Sequence, residues 1–347
     1  MAAGILAVSE GVSLEEAIRR VVAATGQTAV KIEVLSSVRK AIGMEALEAS
    51  PVPTAGHRLL VTGASGFIGS SLMTVLGQKY ETLAPTSLEI DLVRNAIGLD
   101  LLVKDHAPDT VIHLANPRLY QSTESIGTAL GMLKNVLDVC VENELHLIFP
   151  SSWAIYSGYK ARGLRADESL PPYANETYGY TKLYCEDLIR RYHDQHGLSY
   201  TILRLSPVYG LQSDRPRFIW TFLQKALRSE EIVTHKYANG FPILDLLNVG
   251  DVPQAIAAVV ERRVEGSVNI GTGVGTSTAE IARLIVEHVG SKSDISHVEI
   301  EGYASNVIMD ISKAERVLDW TPKVGLKQGL ESIVRGQAAS RVNWRKE

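Results

Sequence analysis

Short apolar runs alternate with longer amphipathic segments between His57 and Leu205. The runs predict β-strands over Arg58–Thr62, Glu81–Pro85, Thr110–Leu114, Leu147–Pro150 and Tyr200–Leu205. The amphipathic segments predict helices over about 67–79, 91–106, 126–144 and 178–196. Because the strands are short and lack polar alternation, they fit a sheet that is covered on both faces. The pattern therefore predicts an α/β fold with a doubly wound parallel sheet.

The regular alternation of predicted strands and helices ends after Pro207. Helices are predicted over about 218–227, 252–261 and 277–289, with extended segments over 241–249 and 267–270. Ligands of open α/β sheets bind at the carboxyl ends of the strands. We therefore predict a main domain over 58–207, to which 241–268 returns, and a smaller lobe that makes up most of 208–340 and covers that edge.

Residues 1–57 form an extension with a candidate internal repeat. Gly11–Gly26 aligns without gaps to Gly275–Gly290, with six of sixteen positions identical, and a strand-like segment follows each copy (KIEV at 31–34, HVEI at 297–300). The two interpretations are a duplicated fragment of the lobe and a chance likeness of two amphipathic helices. Residues 46–56 are predicted to be a flexible linker. We assign no chemistry to this extension.

Composition narrows the class of protein. The 347 residues are 45% apolar and carry a formal net charge of −4, which gives no reason to expect binding to nucleic acid or to a membrane surface. The start of the chain lacks the pattern of a secretory signal, and no apolar run approaches the roughly 20 residues of a membrane helix. Cys140 and Cys185 lack partners at metal or redox spacing and are predicted to be buried free thiols. We expect a cytoplasmic globular protein.

A glycine-rich turn lies between the first strand and the first helix. Its sequence, Gly63-Ala64-Ser65-Gly66-Phe67-Ile68-Gly69, has the spacing GxxGxxG. Glycines let a backbone turn tightly and approach a pyrophosphate, and the free N–H groups at the helix start then face the anion. Such a turn alone is weak evidence, but its place between an apolar strand and an amphipathic helix favours dinucleotide binding.

Two further motifs carry candidate chemistry. Tyr178 and Lys182 share a helix face, because residues four apart are neighbours there. A free phenol has a pKa of about 10, and a nearby ammonium lowers that pKa; a surface tyrosine and lysine is the alternative interpretation. Ser151 and Ser152 follow the strand predicted over 147–150. A hydroxyl there can donate to a substrate oxygen, although serine pairs are also typical of turns.

In this order and spacing, the motifs resemble the extended short-chain dehydrogenase/reductase family, in its NAD-dependent epimerase/dehydratase branch. Other matching segments are PDTVIHLA at 108–115, LRLSPVYG at 203–210, NIGTG at 269–273, DISKA at 310–314 and WTPK at 320–323. The resemblance covers about Arg58 to Ala338. It implies a Rossmann-type sheet with a smaller C-terminal substrate lobe, an NAD(P) cofactor, and a homodimer formed through the helices at about 126–144 and 178–196.

The resemblance also implies roles for single residues. Tyr178 is the expected acid/base, Lys182 lowers the pKa of Tyr178 and binds the nicotinamide ribose, and Ser152 hydrogen-bonds the reacting oxygen. The other expected cofactor contacts are Gly63, Ser65, Gly66, Phe67, Ile68, Gly69, Thr86, Ser87, Asp91, Leu92, Leu114, Ala115 and Asn116. The stretch TLAPTSLEIDL at 82–92 lacks the acidic residue that NAD users commonly place after the second strand. The same stretch resembles that of the sugar-nucleotide 4-ketoreductases, and this resemblance favours NADP as the cofactor.

Departures from the family pattern bear on the reaction and the substrate. Dehydratases carry an acidic pair where this chain has Trp153 and Ala154, so no acid there protonates a leaving hydroxyl and we expect no dehydration. The arginines that usually grip a nucleotide sugar are missing, and Leu244 replaces one of them. The candidate substrate contacts are Trp153, Ala154, Arg215, Arg217 and Asn248. The two arginines either compensate for the loss or are solvated charges.

Three functions are consistent with these patterns. The first is a nucleotide-sugar epimerase or 4-ketoreductase. The second is an NADPH-dependent ketoreductase that acts on a small non-nucleotide ketone, which the missing arginines favour. The third is a non-catalytic dinucleotide-binding protein, which the presence of Ser152, Tyr178 and Lys182 disfavours because such a protein needs no positioned acid or base.

Overall fold

The structure is a computed structural model that describes residues 56–117, 122–211 and 216–344, with side chains described as far as Gly336. The candidate repeat at the start of the chain and Arg215 lie outside these residues. The strands and helices are, in chain order, β1 Arg58–Thr62, α1 Phe67–Leu76, β2 Glu81–Leu83, α2 Ala96–His106, β3 Thr110–His113, α3 Thr123–Glu142, β4 His146–Ser152, β5 Leu164–Ala166, α4 Thr177–His196, β6 Tyr200–Leu205, β7 Val208–Tyr209, α5 Arg217–Leu227, β8 Ile232–Lys236, β9 Ile243–Asp245, β10 Leu247–Asn248, α6 Val252–Arg262, β11 Gly266–Ile270, β12 Gly275–Ser277, α7 Thr278–Val289, β13 Ile295–Glu299, β14 Val307–Met309, α8 Ser312–Leu318 and α9 Leu326–Trp344.

Six parallel strands form the central sheet, in the order β11-β6-β4-β3-β1-β2. The register pairs Leu60 with Val111 and Ser152 with Leu205. The chain goes from β1 outward to β2, then returns to start β3 on the other side of β1. The carboxyl ends of β1 and β3 therefore meet at a topological switch point, where such sheets bind ligands. The predicted fold, α/β with a doubly wound parallel sheet, is confirmed.

Apolar layers cover both faces of the sheet. Leu59 and Val61 of β1 lie in one core with residues of α1, α6 and α8, whereas Leu60 between them lies in a second core with residues of α2, α3 and α4. Side chains alternate across a strand, so a strand that is apolar at every position fits between two helical layers. A third core joins α5, α7 and α9 in the C-terminal part of the chain.

Four small two-stranded sheets are separate from the central sheet: β7 pairs with β10, β9 with β12, β8 with β13 and β5 with β14. The extended segment predicted over 241–249 is two short strands, β9 and β10, that pair with different partners. β11 lies beside β6 and completes the central sheet.

The second predicted helix starts later than the sequence pattern indicates, at Ala96 rather than Asp91. The Asn95 side chain accepts a hydrogen bond from the Gly98 N–H at 2.8 Å and so caps α2. Asp91 Oδ1 accepts hydrogen bonds from the N–H groups of Val93 (2.9 Å) and Arg94 (3.2 Å). Asp and Asn side chains compete with helical hydrogen bonding in this way, which turns the chain before the helix begins.

Cys140 and Cys185 are buried free thiols, as predicted. Burial raises the pKa of the Cys185 thiol to about 11, so it stays protonated and unreactive at neutral pH. No helix among the described residues combines the length and the apolar character needed to cross a membrane.

Candidate active site

A cavity of about 840 Å³ opens at the carboxyl ends of the central strands. Residues at the carboxyl ends of β1, β3, β4 and β6 line it, and the start of α4 forms another part of its wall. The lining residues are Gly63, Gly66, Phe67, Ile68, Gly69, Leu114, Asn116, Pro117, Pro150, Ser151, Ser152, Trp153, Ala154, Glu176, Thr177, Tyr178, Lys182, Leu205, Ser206, Pro207, Val208 and Pro216. Among the residues that the structure describes, no group of His, Cys, Asp or Glu is suited to hold a metal ion.

The glycine-rich turn forms one wall of this cavity because only glycine fits at its key positions. Gly63 has φ +73°, and a Cβ there would lie 2.6 Å from the Ala115 backbone nitrogen. A Cβ on Gly69 would lie 2.6 Å from the Ala64 carbonyl oxygen. Gly66 caps α1 without a side-chain hydrogen bond, and no acidic residue occupies the first turn. The free N–H groups of this helix start suit an anionic group such as a pyrophosphate.

The expected cofactor residues fall into two groups. Gly63, Gly66, Phe67, Ile68, Gly69, Leu114 and Asn116 line the cavity. Ser65, Thr86, Ser87, Asp91, Leu92 and Ala115 do not line it. Ala115 contributes backbone that packs against Gly63. Thr86 and Ser87 are exposed after β2, and the Asp91 carboxylate already accepts two backbone hydrogen bonds of its own turn.

Three candidate catalytic side chains meet in the cavity. Ser152 ends β4, whereas Tyr178 and Lys182 stand one turn apart at the start of α4. A hydrogen bond joins the side chains of Ser152 and Tyr178. The Lys182 Nζ donates to the Pro150 carbonyl at 2.9 Å and lies 5.8 Å from the centroid of the Tyr178 ring. The interpretation of Tyr178 and Lys182 as a surface pair is wrong, because the Lys182 side chain is only 7% exposed.

Gly179 explains how α4 comes so close to the end of β4. A Cβ at this position would clash with the Ala154 carbonyl oxygen and lie 3.1 Å from the Ala154 carbonyl carbon. The turn after Ser152 and the helix that carries Tyr178 therefore touch through backbone. Sequence reasoning missed this role, although a glycine inside a helix is costly and signals a close approach.

Burial dominates the proton equilibria of the site. It raises the pKa of Tyr178 to about 12, against the lowering effect of the hydrogen bond from Ser152. Burial also lowers the pKa of Lys182, which nearby Cys185 and Glu186 oppose. The lowering of the Tyr178 pKa by Lys182, which the sequence predicts, is not among the causes of this shift. The Lys182 ammonium is instead hydrogen-bonded to the Pro150 carbonyl.

Of the candidate substrate residues that the structure describes, two line the cavity and two do not. Trp153 and Ala154 line the cavity. Arg217 begins α5 as an exposed side chain and does not line it. Asn248 is buried outside the cavity lining, and its Oδ1 accepts from the Gly250 N–H at 2.9 Å. The Asn248 side-chain carbonyl is thus used within the fold. Sequence reasoning missed Glu176 and Val208, which do line the cavity.

His113, at the end of β3, lies behind the site and makes stability depend on pH. Its Nδ1 is 2.7 Å from Thr62 Oγ1, and its ring stacks on Phe149. Burial, with the charge of Lys182 as a smaller cause, lowers the pKa of His113 to about 3.

We expect this histidine to make the protein sensitive to acid. Unfolding exposes an imidazole that binds a proton near pH 6.5, whereas the folded protein keeps it neutral until about pH 3. The stability that the neutral His113 contributes is fully present above pH 6.5. It is lost as the pH falls from 6.5 toward about 3, because the unfolded state then binds more protons than the folded state. Urea unfolding of His113→Gln between pH 7 and pH 4 should show a shallower loss of stability than the parent protein. Equal slopes would contradict this assignment.

The chain matches known proteins over most of its length. The model of the NAD dependent epimerase/dehydratase family matches residues 59–271. A putative UDP-glucose 4-epimerase of Methanocaldococcus jannaschii is 28% identical over 305 residues, which are 80% of this chain and 97% of that protein. UDP-glucuronic acid decarboxylase 6 of Arabidopsis thaliana is 28% identical, over 79% of this chain and 86% of its own.

A solved structure resembles the fold described here. UDP-glucose 4-epimerase from Thermus thermophilus, in complex with NAD, superposes with a TM-score of 0.69 at 26% identity and covers 80% of this chain and 98% of its own. The family model spans both the glycine-rich turn and the segment from Ser152 to Lys182. The chain belongs to the NAD dependent epimerase/dehydratase family.

Proposed function

We propose that the protein is an NAD(P)-dependent nucleotide-sugar epimerase or 4-ketoreductase. The observation that carries the proposal is a single cavity that joins the glycine-rich turn to the hydrogen-bonded side chains of Ser152 and Tyr178, with Lys182 beside them. Relatives named as UDP-glucose epimerases, one of them solved with NAD, support the same class.

The cavity fits a nicotinamide dinucleotide. The turn from Gly63 to Gly69 would hold the pyrophosphate through backbone N–H groups. An ammonium has three donors, and the Pro150 carbonyl takes one of those on Lys182, so two remain for the nicotinamide ribose. When bound, the dinucleotide takes or returns a hydride, and the positive charge of its oxidised ring favours a nearby phenolate.

Tyr178 moves the proton of the reaction. With a pKa of about 12 its side chain is a neutral phenol at pH 7, which is the form that protonates a ketone oxygen. In the oxidising direction the phenolate form of Tyr178, which the positive charge of the oxidised nicotinamide ring would favour, accepts the proton of a sugar hydroxyl and becomes the neutral phenol. The Ser152 hydroxyl, hydrogen-bonded to Tyr178, would hold the substrate oxygen in line between them.

A panel of substrates tests the proposal. UDP-glucose, UDP-galactose, their N-acetyl forms and 4-keto sugar nucleotides would each be incubated with the protein, with NAD or NADPH, and analysed by anion-exchange chromatography. An epimerase interconverts the 4-epimers without net use of cofactor, whereas a 4-ketoreductase consumes one NADPH for each product. We lean to NADP. No conversion of any sugar nucleotide would remove the proposal.

A smaller ketone is the second candidate substrate. Lys182 is the only cation among the described residues that line the cavity, and it is engaged with Pro150. Diphosphate groups are usually held by paired arginine contacts, so this lining suits a neutral molecule. NADPH oxidation with simple ketones, and none with sugar nucleotides, would favour this candidate.

We also propose that the reaction is not a dehydration. Trp153 and Ala154 lie directly after Ser152 in the cavity wall and offer no acid to a leaving hydroxyl. The carboxylate that lines the cavity is that of Glu176, at the start of α4. Loss of water from dTDP-glucose in the presence of the protein would contradict this proposal.

We propose that two copies of the chain form a homodimer through α3 and α4. Tyr180 and Tyr184 stand exposed one turn apart on α4, with ring centroids 6.2 Å apart. Leu130 and Lys134 of α3 share a shallow surface cavity with Tyr184. Large exposed aromatic side chains are typical of interface anchors.

We expect Tyr184→Glu to give a monomer, because a charge buried in an interface without a partner is costly. Light scattering of the parent protein should give twice the mass of the chain, and that of the variant the mass of one chain. Leu88→Glu, at a side chain that is 97% exposed, is the matched control and should leave the mass unchanged. A monomeric parent protein would contradict the proposal.

A further inference from the structure

One face of α4 carries more than the two candidate catalytic residues. Tyr178, Lys182, Glu186 and Arg190 follow one another at intervals of four residues, so they stack along the same side of the helix. Glu186 is completely buried. A buried carboxylate is costly unless charges or donors satisfy it, so its partners decide what it does.

The Glu186 carboxylate ties three elements together. From β6, Arg204 donates through Nη2 at 2.8 Å and through Nε at 3.2 Å. From β4, the Ser151 hydroxyl donates at 2.5 Å. From its own helix, Arg190 donates at 2.6 Å. Charge-assisted bonds of this kind are directional and strong, so the carboxylate fixes the position of α4 against β4 and β6.

Arg204 extends the tie to the turn after Ser152. Its Nη1 donates to the Tyr156 hydroxyl at 2.6 Å and to the Glu168 carbonyl at 3.2 Å. The carboxylate of Glu186 thus neutralises a guanidinium that is itself only 3% exposed. Ser151 immediately precedes Ser152, and Tyr156 lies four residues after Ser152. The hydrogen bonds made by Ser151 and Tyr156 therefore flank the candidate serine on both sides.

The same carboxylate acts on Lys182, one turn earlier on the helix. Cys185 and Glu186, three and four residues after Lys182 on α4, raise the pKa of Lys182 and so oppose the effect of its burial. Across from it, β3 presents His113, which burial keeps neutral, and β6 presents Arg204, which Glu186 itself neutralises. Because the Cys185 thiol stays protonated at neutral pH, Glu186 is the anionic group among these neighbours of Lys182.

We propose that Glu186 is a positioning residue for the reaction, an inference that rests on the function proposed above. Its carboxylate locks α4 to β4 and β6, so that Ser152 and Tyr178 stay hydrogen-bonded, and it supplies the negative charge that keeps Lys182 an ammonium for the ribose. Glu186 touches neither the substrate nor the cofactor; it acts through Lys182 and Tyr178.

The pH dependence of two measurements tests this role. NADPH affinity, measured by fluorescence, and kcat would each be followed from pH 6 to pH 10 in the parent protein and in Glu186→Gln. The variant should lose cofactor affinity and kcat at a pH about one unit lower than the parent does. The reason is that a nearby negative charge raises the pKa of an ammonium by one unit or more, so its removal lets Lys182 lose its proton at a lower pH. Asp187→Asn, which removes the neighbouring exposed carboxylate of the same helix, is the matched control and should keep the parent profile.

A second variant separates positioning from stability. Glu186→Gln leaves Arg204 buried without its counter-charge and lowers the unfolding temperature. The double variant Glu186→Met with Arg204→Met replaces the ion pair by apolar side chains, which often restores stability. Its unfolding temperature should return toward that of the parent, while the pH at which it loses NADPH affinity stays lower than in the parent.

The outcomes distinguish this inference from the proposed function. Parent-like pH profiles in Glu186→Gln or in the double variant would overturn the positioning role. A parent protein that binds NADPH but converts no sugar nucleotide would remove the proposed function, while the pH profiles of NADPH affinity would still decide the role of Glu186.

Discussion

Replacing Tyr178 by phenylalanine is expected to lower kcat by about 10³-fold, within the range of a general acid–base group. The substitution removes one oxygen from a half-buried side chain and leaves the ring in place. Without that oxygen, the side chain beside Ser152 can no longer carry the proton to or from the reacting oxygen. Because the glycine-rich turn and Lys182 are untouched, the affinity for the dinucleotide should stay within about threefold, a change of less than 1 kcal/mol.

Tyr180→Phe is the matched control for this experiment. Tyr180 lies two residues further along α4 and is 40% exposed, away from the cavity lining. Its phenylalanine variant should keep the kcat of the parent. If Tyr178→Phe retained more than about a tenth of the parent kcat, the loss would fall short of the range of general acid–base catalysis, and Tyr178 would not be the acid or base.

Gly69→Ala is expected to weaken dinucleotide binding by about 10- to 100-fold. A Cβ at this position would press on the Ala64 carbonyl and, more closely, on the Gly63 carbonyl, both within the turn that would hold the pyrophosphate. Overpacking of this kind costs about 1–3 kcal/mol, and each 1.4 kcal/mol or so corresponds to a tenfold change in affinity. Isothermal titration with NAD and with NADP would measure the loss.

A second glycine provides the control. A Cβ on Gly127, in the exposed face of α3, would meet nothing within 4 Å. Gly127→Ala should therefore stabilise the helix by about 0.5–1 kcal/mol and leave dinucleotide affinity unchanged. Parent-like affinity in Gly69→Ala would show that the dinucleotide does not use the turn.

Local patterns were enough to predict the central sheet. β1 and β6 have the bounds that their apolar runs indicate. The glycine-rich turn, Ser152 and the Tyr178–Lys182 pair were also recognisable, because their chemistry depends on short spacings within one element or turn. The start of α2 was missed because the side chains of Asp91 and Asn95 form a turn and a cap that compete with the helical pattern.

Features that depend on contacts between distant segments were not predictable. The pKa of Tyr178 follows from burial by the whole fold, and its direction is opposite to that expected from Lys182 alone. Asn248 lies in a segment typical of substrate contacts, yet its side chain serves the backbone of Gly250. The pairing of Glu186 with Arg204 joins residues that are eighteen positions apart, and its only sequence signal is a charged residue within the apolar strand β6.

Absorbance at 340 nm after mixing the protein with sugar nucleotides tests the central claim most directly. That claim is hydride transfer at a sugar carbon with Tyr178 as the acid or base. With bound or added oxidised cofactor, the parent protein should show reduced nicotinamide on mixing with at least one nucleotide sugar, and Tyr178→Phe should show none at the same occupancy of cofactor. A cofactor-loaded parent protein that gives no signal with any nucleotide sugar, in either direction of the reaction, would contradict the account.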